Sequence, residues 1–147
     1  MGSLTARLAV VLIIATAVVG CDSQRVASCA DWVQFDSVQD RYDEATAVFV
    51  ASKGEREGTT TIYGVDAHTH SMRVDEVVKG ELADEDIRIT SMPITCTEGD
   101  QYPDGDPLET SDRIIVFANS IDGQWFTLTP DDGTLPYSAL TISNFRR

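Results

Sequence analysis

The sequence predicts a mainly β fold: a small, curled antiparallel barrel of about five to six strands with one short helix near its N-terminal end. Three observations carry this expectation. Short apolar or alternating runs recur along the chain and stop at Gly, Pro or Asp-Gly. The longest alternating run slips its period at Asp75-Glu76, as a strand does at a bulge where it bends. Only residues 31–44, with Trp32, Phe35 and Val38 set among charges, space their apolar side chains as a helix or helical turn does.

The first segment is read as an export signal rather than as part of the fold. Arg7 precedes an apolar and small-residue run over residues 8–19, then Gly20 and Cys21. As a helix that run is roughly 18 Å long against roughly 30 Å of hydrocarbon, too short for a comfortable span. Val18-Val19-Gly20-Cys21 resembles the bacterial lipobox, which predicts cleavage after residue 20 and acylation of Cys21. One acyl chain binds a bilayer only marginally, whereas two or three, at roughly 0.8 kcal/mol per buried methylene, hold almost permanently. The expected location is therefore the extracytoplasmic face of a cell membrane, with membrane lipid as the first partner. Asp22, directly after the cysteine, implies inner-membrane retention in a cell with two membranes. Residues 21–28 are expected to form a lipidated tether and residues 29–147 one domain.

Charge narrows the partners. The 147 residues carry 24 acidic and 11 basic side chains, a formal −13. Loss of residues 1–20 removes Arg7 and no acid, leaving −14. Nucleic acid is excluded as a partner on that balance, and anionic headgroups repel such a domain. Cysteine arithmetic adds a staple. With Cys21 consumed by lipid, Cys29 and Cys96 remain, and outside the cytoplasm they are expected to form a disulfide. Closing the 68-residue loop from Cys29 to Cys96 is worth about 4 kcal/mol at most by chain entropy.

Residues 45–51 are almost continuously apolar, with Val48, Phe49 and Val50 adjacent, and form a buried strand. The charged, glycine-bracketed residues 54–58 are expected to loop, and residues 59–65 to resume as a strand, making a hairpin. His70, Met72 and Val74 share one face of the next strand, opposite Ser71, Arg73 and Asp75, until Lys79-Gly80. Ile87 and Ile89 alternate in a short strand that stops at Pro93. Residues 97–112 hold six acids, Pro103, Gly105 and Pro107, and no apolar period, which predicts an exposed loop. Residues 113–119 return as a central strand, Asp122-Gly123 predicts a tight turn into residues 124–129, and residues 130–133 turn again. Residues 135–142 have no decided form.

At this point the residues show a family likeness. Glu44-Ala45-Thr46-Ala47-Val48-Phe49-Val50-Ala51, then Met72-x-Val74-x-x-Val77-x-Lys79-Gly80, Cys96, and Asp112-Arg113-Ile114-Ile115-Val116-Phe117-Ala118 resemble the netrin-like, tissue-inhibitor-of-metalloproteinase-like family. The likeness covers roughly residues 29–128 and implies an OB-like barrel used for binding. Ala51 and Ser111 stand where that family usually has glycine, and its later cysteine is missing. The family's inhibitors chelate a protease's zinc through a free N-terminal cysteine. Here Cys29 lies eight residues inside the mature chain and Cys21 is the acylation site, so that route is not carried over.

Other chemistry is thin. His68 and His70 lie on one side of a strand, and with Asp100, Asp104 and Asp106 they form a conceivable zinc or calcium site. The acids do not follow EF-hand spacing, so the plainer expectation there is a solvated acidic loop; His70 falls where the netrin-like family tends to place a core aromatic, and that resemblance implies a structural, partly buried His70 and an exposed His68. The sequence contains no G-x-S-x-G and only two histidines. Trp32 and Trp125 are expected in the core rather than on a recognition surface. The expected function is a membrane-anchored binding or structural module, not an enzyme, with no cofactor. The alternative is a metal-binding surface protein.

Overall fold

The computed structural model describes residues 28–97 and 99–145. The expected export signal, the expected acylation site Cys21 and the expected tether through Ala27 lie outside the described residues, as do Glu98 of the acidic loop and residues 146–147. The elements run α1 (Val38–Glu44), β1 (Ala47–Ile62), β2 (Val65–Lys79), β3 (Asp86–Thr90), β4 (Ile114–Ile121), β5 (Gln124–Thr127), β6 (Thr134–Pro136) and α2 (Ala139–Phe145). The strands lie in the order β1-β2-β3-β5-β4, and β4 pairs back onto β1. That pairing closes an OB-like barrel of five strands, with β6 added beside β4. All neighbours are antiparallel except β3 and β5.

The apolar run at the start of β1 is continuous because both its faces are covered. Ala47, Phe49 and Ala51 point into the barrel with Met72, Ile87, Ile89, Val116 and Ala118. Val48 and Val50 point outward with Ile115 and Phe117, beneath a second cluster that includes Val38, Tyr42, Ile142 and Phe145 of the two helices. β4 repeats the pattern, with Ile114 and Val116 inside and Ile115 and Phe117 outside. Period-2 geometry thus places each strand between two cores.

Two details explain the Lys79-Gly80 pair. The Lys79 ammonium donates to the carbonyls of Tyr42 at 2.6 Å and Asp43 at 2.9 Å, in the last turn of α1, where backbone acceptors lack partners and a cation is favoured. Gly80 has φ +79°, and a Cβ there would lie 2.6 Å from the Thr46 carbonyl oxygen. The pair therefore fixes the helix on the end of β2 and lets the chain turn past β1.

The bulge expected at Asp75-Glu76 is present: Val50 pairs with Glu76 and Ala51 with Val74, leaving Asp75 between them. A further slip leaves Val78 between Lys79 and Val77. Two stretches differ from expectation, and a third had no expected form. The helix covers only Val38–Glu44, because Ser37 caps it by accepting from the Asp40 amide and the residues before it run extended. There the Phe35 amide donates to Asp132, which also pairs with Arg41. Residues 54–58 are not a loop but a bulged stretch of β1, with register shifts between Ser52 and Glu55 and between Arg56 and Gly58. Lys53 takes φ +55° at that irregularity. The undecided C-terminal segment becomes β6 followed by α2, whose Ile142 is buried.

The hairpin turn therefore falls at Tyr63-Gly64, with φ +51° and +82°. It matches the Asp122-Gly123 turn, at +51° and +78°. Both dihedral pairs belong to the turn whose twist suits a hairpin, a turn that favours Asn or Asp before Gly. A tyrosine there carries a left-handed backbone at a cost of about 1–2 kcal/mol.

Cys29 and Cys96 form a disulfide, joining the entry of the chain to the end of the segment after β3 across 67 residues. The Ala30 amide donates to the Thr95 hydroxyl beside it, at 2.8 Å. Removal of the bond by Cys29→Ser with Cys96→Ser is expected to lower unfolding free energy in urea by up to about 4 kcal/mol. An unchanged urea midpoint would show that the bond adds nothing to the fold.

Candidate functional site

Alternation along β2 turns His68 and His70 to the same side, toward the barrel interior where Met72 follows. The segment 97–112 then folds back over this end of the barrel. It is not a solvated loop. Leu108 is fully buried in the interior cluster, and Tyr102 is 7% exposed.

Two short turns produce this path. Asp100 Oδ1 accepts from the Tyr102 amide at 3.0 Å, and Asp106 Oδ1 accepts from the Leu108 amide at 3.0 Å. Each aspartate thus organises the backbone two residues on, which is how this side chain makes turns. Gly105, at φ +91°, donates to the Tyr102 carbonyl at 2.9 Å between them. The bulged part of β1 receives the loop: the Gly54 amide donates to the Thr110 carbonyl at 2.8 Å. A Cβ on Gly54 would fall 1.7 Å from the Leu108 carbonyl oxygen, so the loop seats only against a glycine.

The centre of the site is the Asp106 carboxylate, whose side chain is 2% exposed. His68 Nδ1 donates to its Oδ2 at 2.8 Å, and His70 Nε2 lies 3.5 Å from the same oxygen, too far for a strong hydrogen bond. The His68 ring stacks on Tyr102, with centroids 4.4 Å apart. The Tyr102 hydroxyl donates to the Ser91 carbonyl at 2.7 Å and accepts from the His68 amide at 3.1 Å. It thereby bridges β2 and the end of β3. His70 is fully buried, and neither ring nitrogen has a hydrogen-bond partner; the buried Ser91 hydroxyl is also without one.

Burial is the main influence on both titrating rings. It pushes the His70 imidazole below its ordinary value of 6.5, against the pull of Asp106 and with the push of His68. Glu109 and Arg56 act more weakly and in opposite senses. Burial also pushes the Tyr102 phenol up to about 12, with Asp106 adding to it. His70 is therefore neutral in the fold near neutral pH, and Tyr102 is a permanent donor.

The structure brings together three of the five residues considered for a metal: His68, His70 and Asp106. Asp100 serves the turn before Tyr102, and Asp104 is exposed beyond Pro103. Among the described residues, no group of three or more His, Cys, Asp or Glu side chains is placed to hold a metal ion. The resemblance implied an exposed His68, but its side chain is only 19% exposed, because Tyr102 covers it. The residues that sequence reasoning missed are Tyr102 and Leu108. Their signal was present: Asp-x-Tyr at 100–102 and Asp-x-Leu at 106–108 each set an aspartate two residues before an apolar anchor.

Two open cavities flank this arrangement. One of about 540 Å³ lies on the outer side of the loop, lined by Asp104, Asp106, Glu109, Asp131 and three prolines. The other, of about 270 Å³, lies on the far side of the sheet between Thr59, Arg88, Thr90 and Trp125, with no acid among its lining residues. Trp125 stands at that cavity while packing partly against the interior cluster.

Comparison with protein families and with curated proteins finds no match.

Tyr102→Phe strands the His68 amide and the Ser91 carbonyl inside the fold, and is expected to cost about 1–3 kcal/mol in urea unfolding. The acid limb of stability tests His70. Below pH 6.5 the unfolded chain takes up a proton at this imidazole that the folded chain, with its lowered pKa, does not. Stability is thus full above pH 6.5 and falls as pH drops toward the folded value. The thermal midpoint of the wild type should fall from about pH 6.5 to about pH 5 more steeply than that of His70→Leu. Parallel slopes would remove His70 from the titration.

Proposed function

We propose that the chain is an extracytoplasmic lipoprotein, held to a cell membrane by acyl chains on Cys21, and that its OB-like barrel serves as a binding or structural module rather than as an enzyme. The observation that carries this is the cysteine pairing. The sequence has three cysteines, and the Cys29–Cys96 disulfide engages two of them. The one left is Cys21, and it stands directly after an apolar run and a small residue, where lipid-modified cysteines stand.

Further support comes from what the polar residues are engaged in. Both histidines of the chain sit beside Asp106 under Tyr102, an arrangement that holds a loop onto a barrel end. A nucleophile with a free base would need one of these rings to face a substrate. The netrin-like resemblance points the same way, toward a barrel that binds. Cys29, bonded to Cys96 and preceded by a tether, offers no free amine to a metalloprotease. The net negative charge keeps the domain from lying broadly on anionic headgroups and directs the search toward neutral or basic protein and surface ligands.

The test is fractionation with intact mass. Protein extracted from its own membranes should weigh more than residues 21–147 by two or three acyl chains, and alkylation without reductant should add nothing. Cys21→Ser should leave the membrane fraction with its barrel folded. An unacylated wild-type mass would overturn the anchor.

A further inference from the structure

The chain emerges from the tether at the tip of the β1–β2 hairpin. The Ser28 amide donates to the Tyr63 carbonyl at 2.7 Å, so the first described residue is tied to the turn itself. Around that point the surface is aromatic and apolar. Tyr63 is 49% exposed and Val33 64% exposed, two of the most exposed large apolar side chains of the described residues. Trp32 lies edge-on to the Tyr63 ring, with centroids 5.7 Å apart.

Tyr63 also occupies a place where a tyrosine is unfavourable. Its φ of +51° equals that of Asp122 in the other tight hairpin, where the usual Asp-Gly is found. A bulky residue is kept half exposed on a backbone that an asparagine would suit better, and the ring contact it makes is with Trp32. Strain retained at an exposed tip is a mark of use.

We infer that the Tyr63 hairpin tip, with Trp32 and Val33, docks into the headgroup boundary of the bilayer that holds Cys21, setting the barrel at a fixed orientation on that membrane. This rests on the lipoprotein reading above. Seven residue steps separate Cys21 from Ser28, so the tip stands at most about 25 Å from the acylated cysteine even with the tether fully extended. Tyrosine favours this zone, where a ring is half in hydrocarbon and its hydroxyl stays wet; Trp32, whose indole N–H is buried without a partner, backs the Tyr63 ring edge-on. The charge of the domain gives no attraction to anionic lipid, and Asp31 and Asp66 stand exposed near the tip. The contact is therefore aromatic rather than electrostatic, and anionic lipid weakens it.

The experiment uses the full acylated chain, its acyl mass verified, in phosphatidylcholine vesicles containing lipid brominated high on the acyl chain. The protein has two tryptophans. Trp125→Phe leaves Trp32 as the reporter, and Trp32→Phe leaves Trp125. Most of the Trp32 emission should be lost and that of Trp125 retained. Adding Tyr63→Asn should restore Trp32 emission while raising the thermal midpoint by a few degrees, since asparagine suits the turn; a lost contact with a stabilised fold cannot come from misfolding. Equal quenching of the two tryptophans, or Trp32 quenching that survives Tyr63→Asn, overturns the docking. An acylated protein with unquenched Trp32 overturns the docking and leaves the anchor standing; a protein with no acyl mass overturns both.

Discussion

The architecture depends on the pairing of β1 with β4. Ala47 through Ala51 lie against Ala118 through Ile114, residue for residue, and this ladder turns a curled sheet into a closed barrel. It also satisfies the backbone of the two most apolar stretches of the described residues, where an unpaired strand edge would invite association with another molecule. Because both strands are buried on both faces, the ladder separates an interior core from an outer one beneath the two helices. A polar residue at any of these ten positions would face a dry environment on whichever side it pointed.

Closure leaves the ends of the barrel to be covered, and the acidic loop covers one of them. Its acids are divided between opposite tasks. Asp100 and Asp106 are turned inward to build turns and to meet His68, while Asp104 and Glu109 stay in contact with water. One buried carboxylate thereby secures a segment of more than a dozen residues that has only two apolar anchors, Tyr102 and Leu108. The unpartnered nitrogens of His70 and the hydroxyl of Ser91 lie beneath it. These are the polar groups that the closed end leaves without hydrogen bonds.

Much of the barrel was legible because its strands announce themselves locally. Continuous apolar residues at 45–51 and 113–119 marked the doubly covered strands, the slip at Asp75 marked a bend, and Asp122-Gly123 marked a turn. The boundaries failed where tertiary pairing overrode local signals. Gly54 and Gly58 resemble loop punctuation, yet a strand runs through them because β2 pairs along its whole length and the loop needs the space at Gly54. Tyr63-Gly64 went unrecognised because a tyrosine in a left-handed conformation has no local reason to be there. The acidic loop was misjudged as solvated because composition averages over a segment, whereas its placement is decided by Tyr102, Leu108 and the aspartates two residues before each. His68 and His70 could be placed on one face from their spacing alone, but their meeting with Asp106 depends on a return path that no local pattern encodes.

The disulfide has a mechanical consequence. Cys29 sits one residue after the point where the chain enters the described fold, and Cys96 lies after the third strand. A pull applied at Ser28 is carried through the sulfur bridge to residue 96 rather than along β1. The chain between the two cysteines, 67 residue steps and about 230 Å when extended, cannot be drawn out while the bridge is intact. Load then falls on the loop and on β4, so the first event under tension would be release of the barrel end and not the peeling of the hairpin. A protein stapled in this way yields by opening one mouth while three of its five barrel strands keep their order.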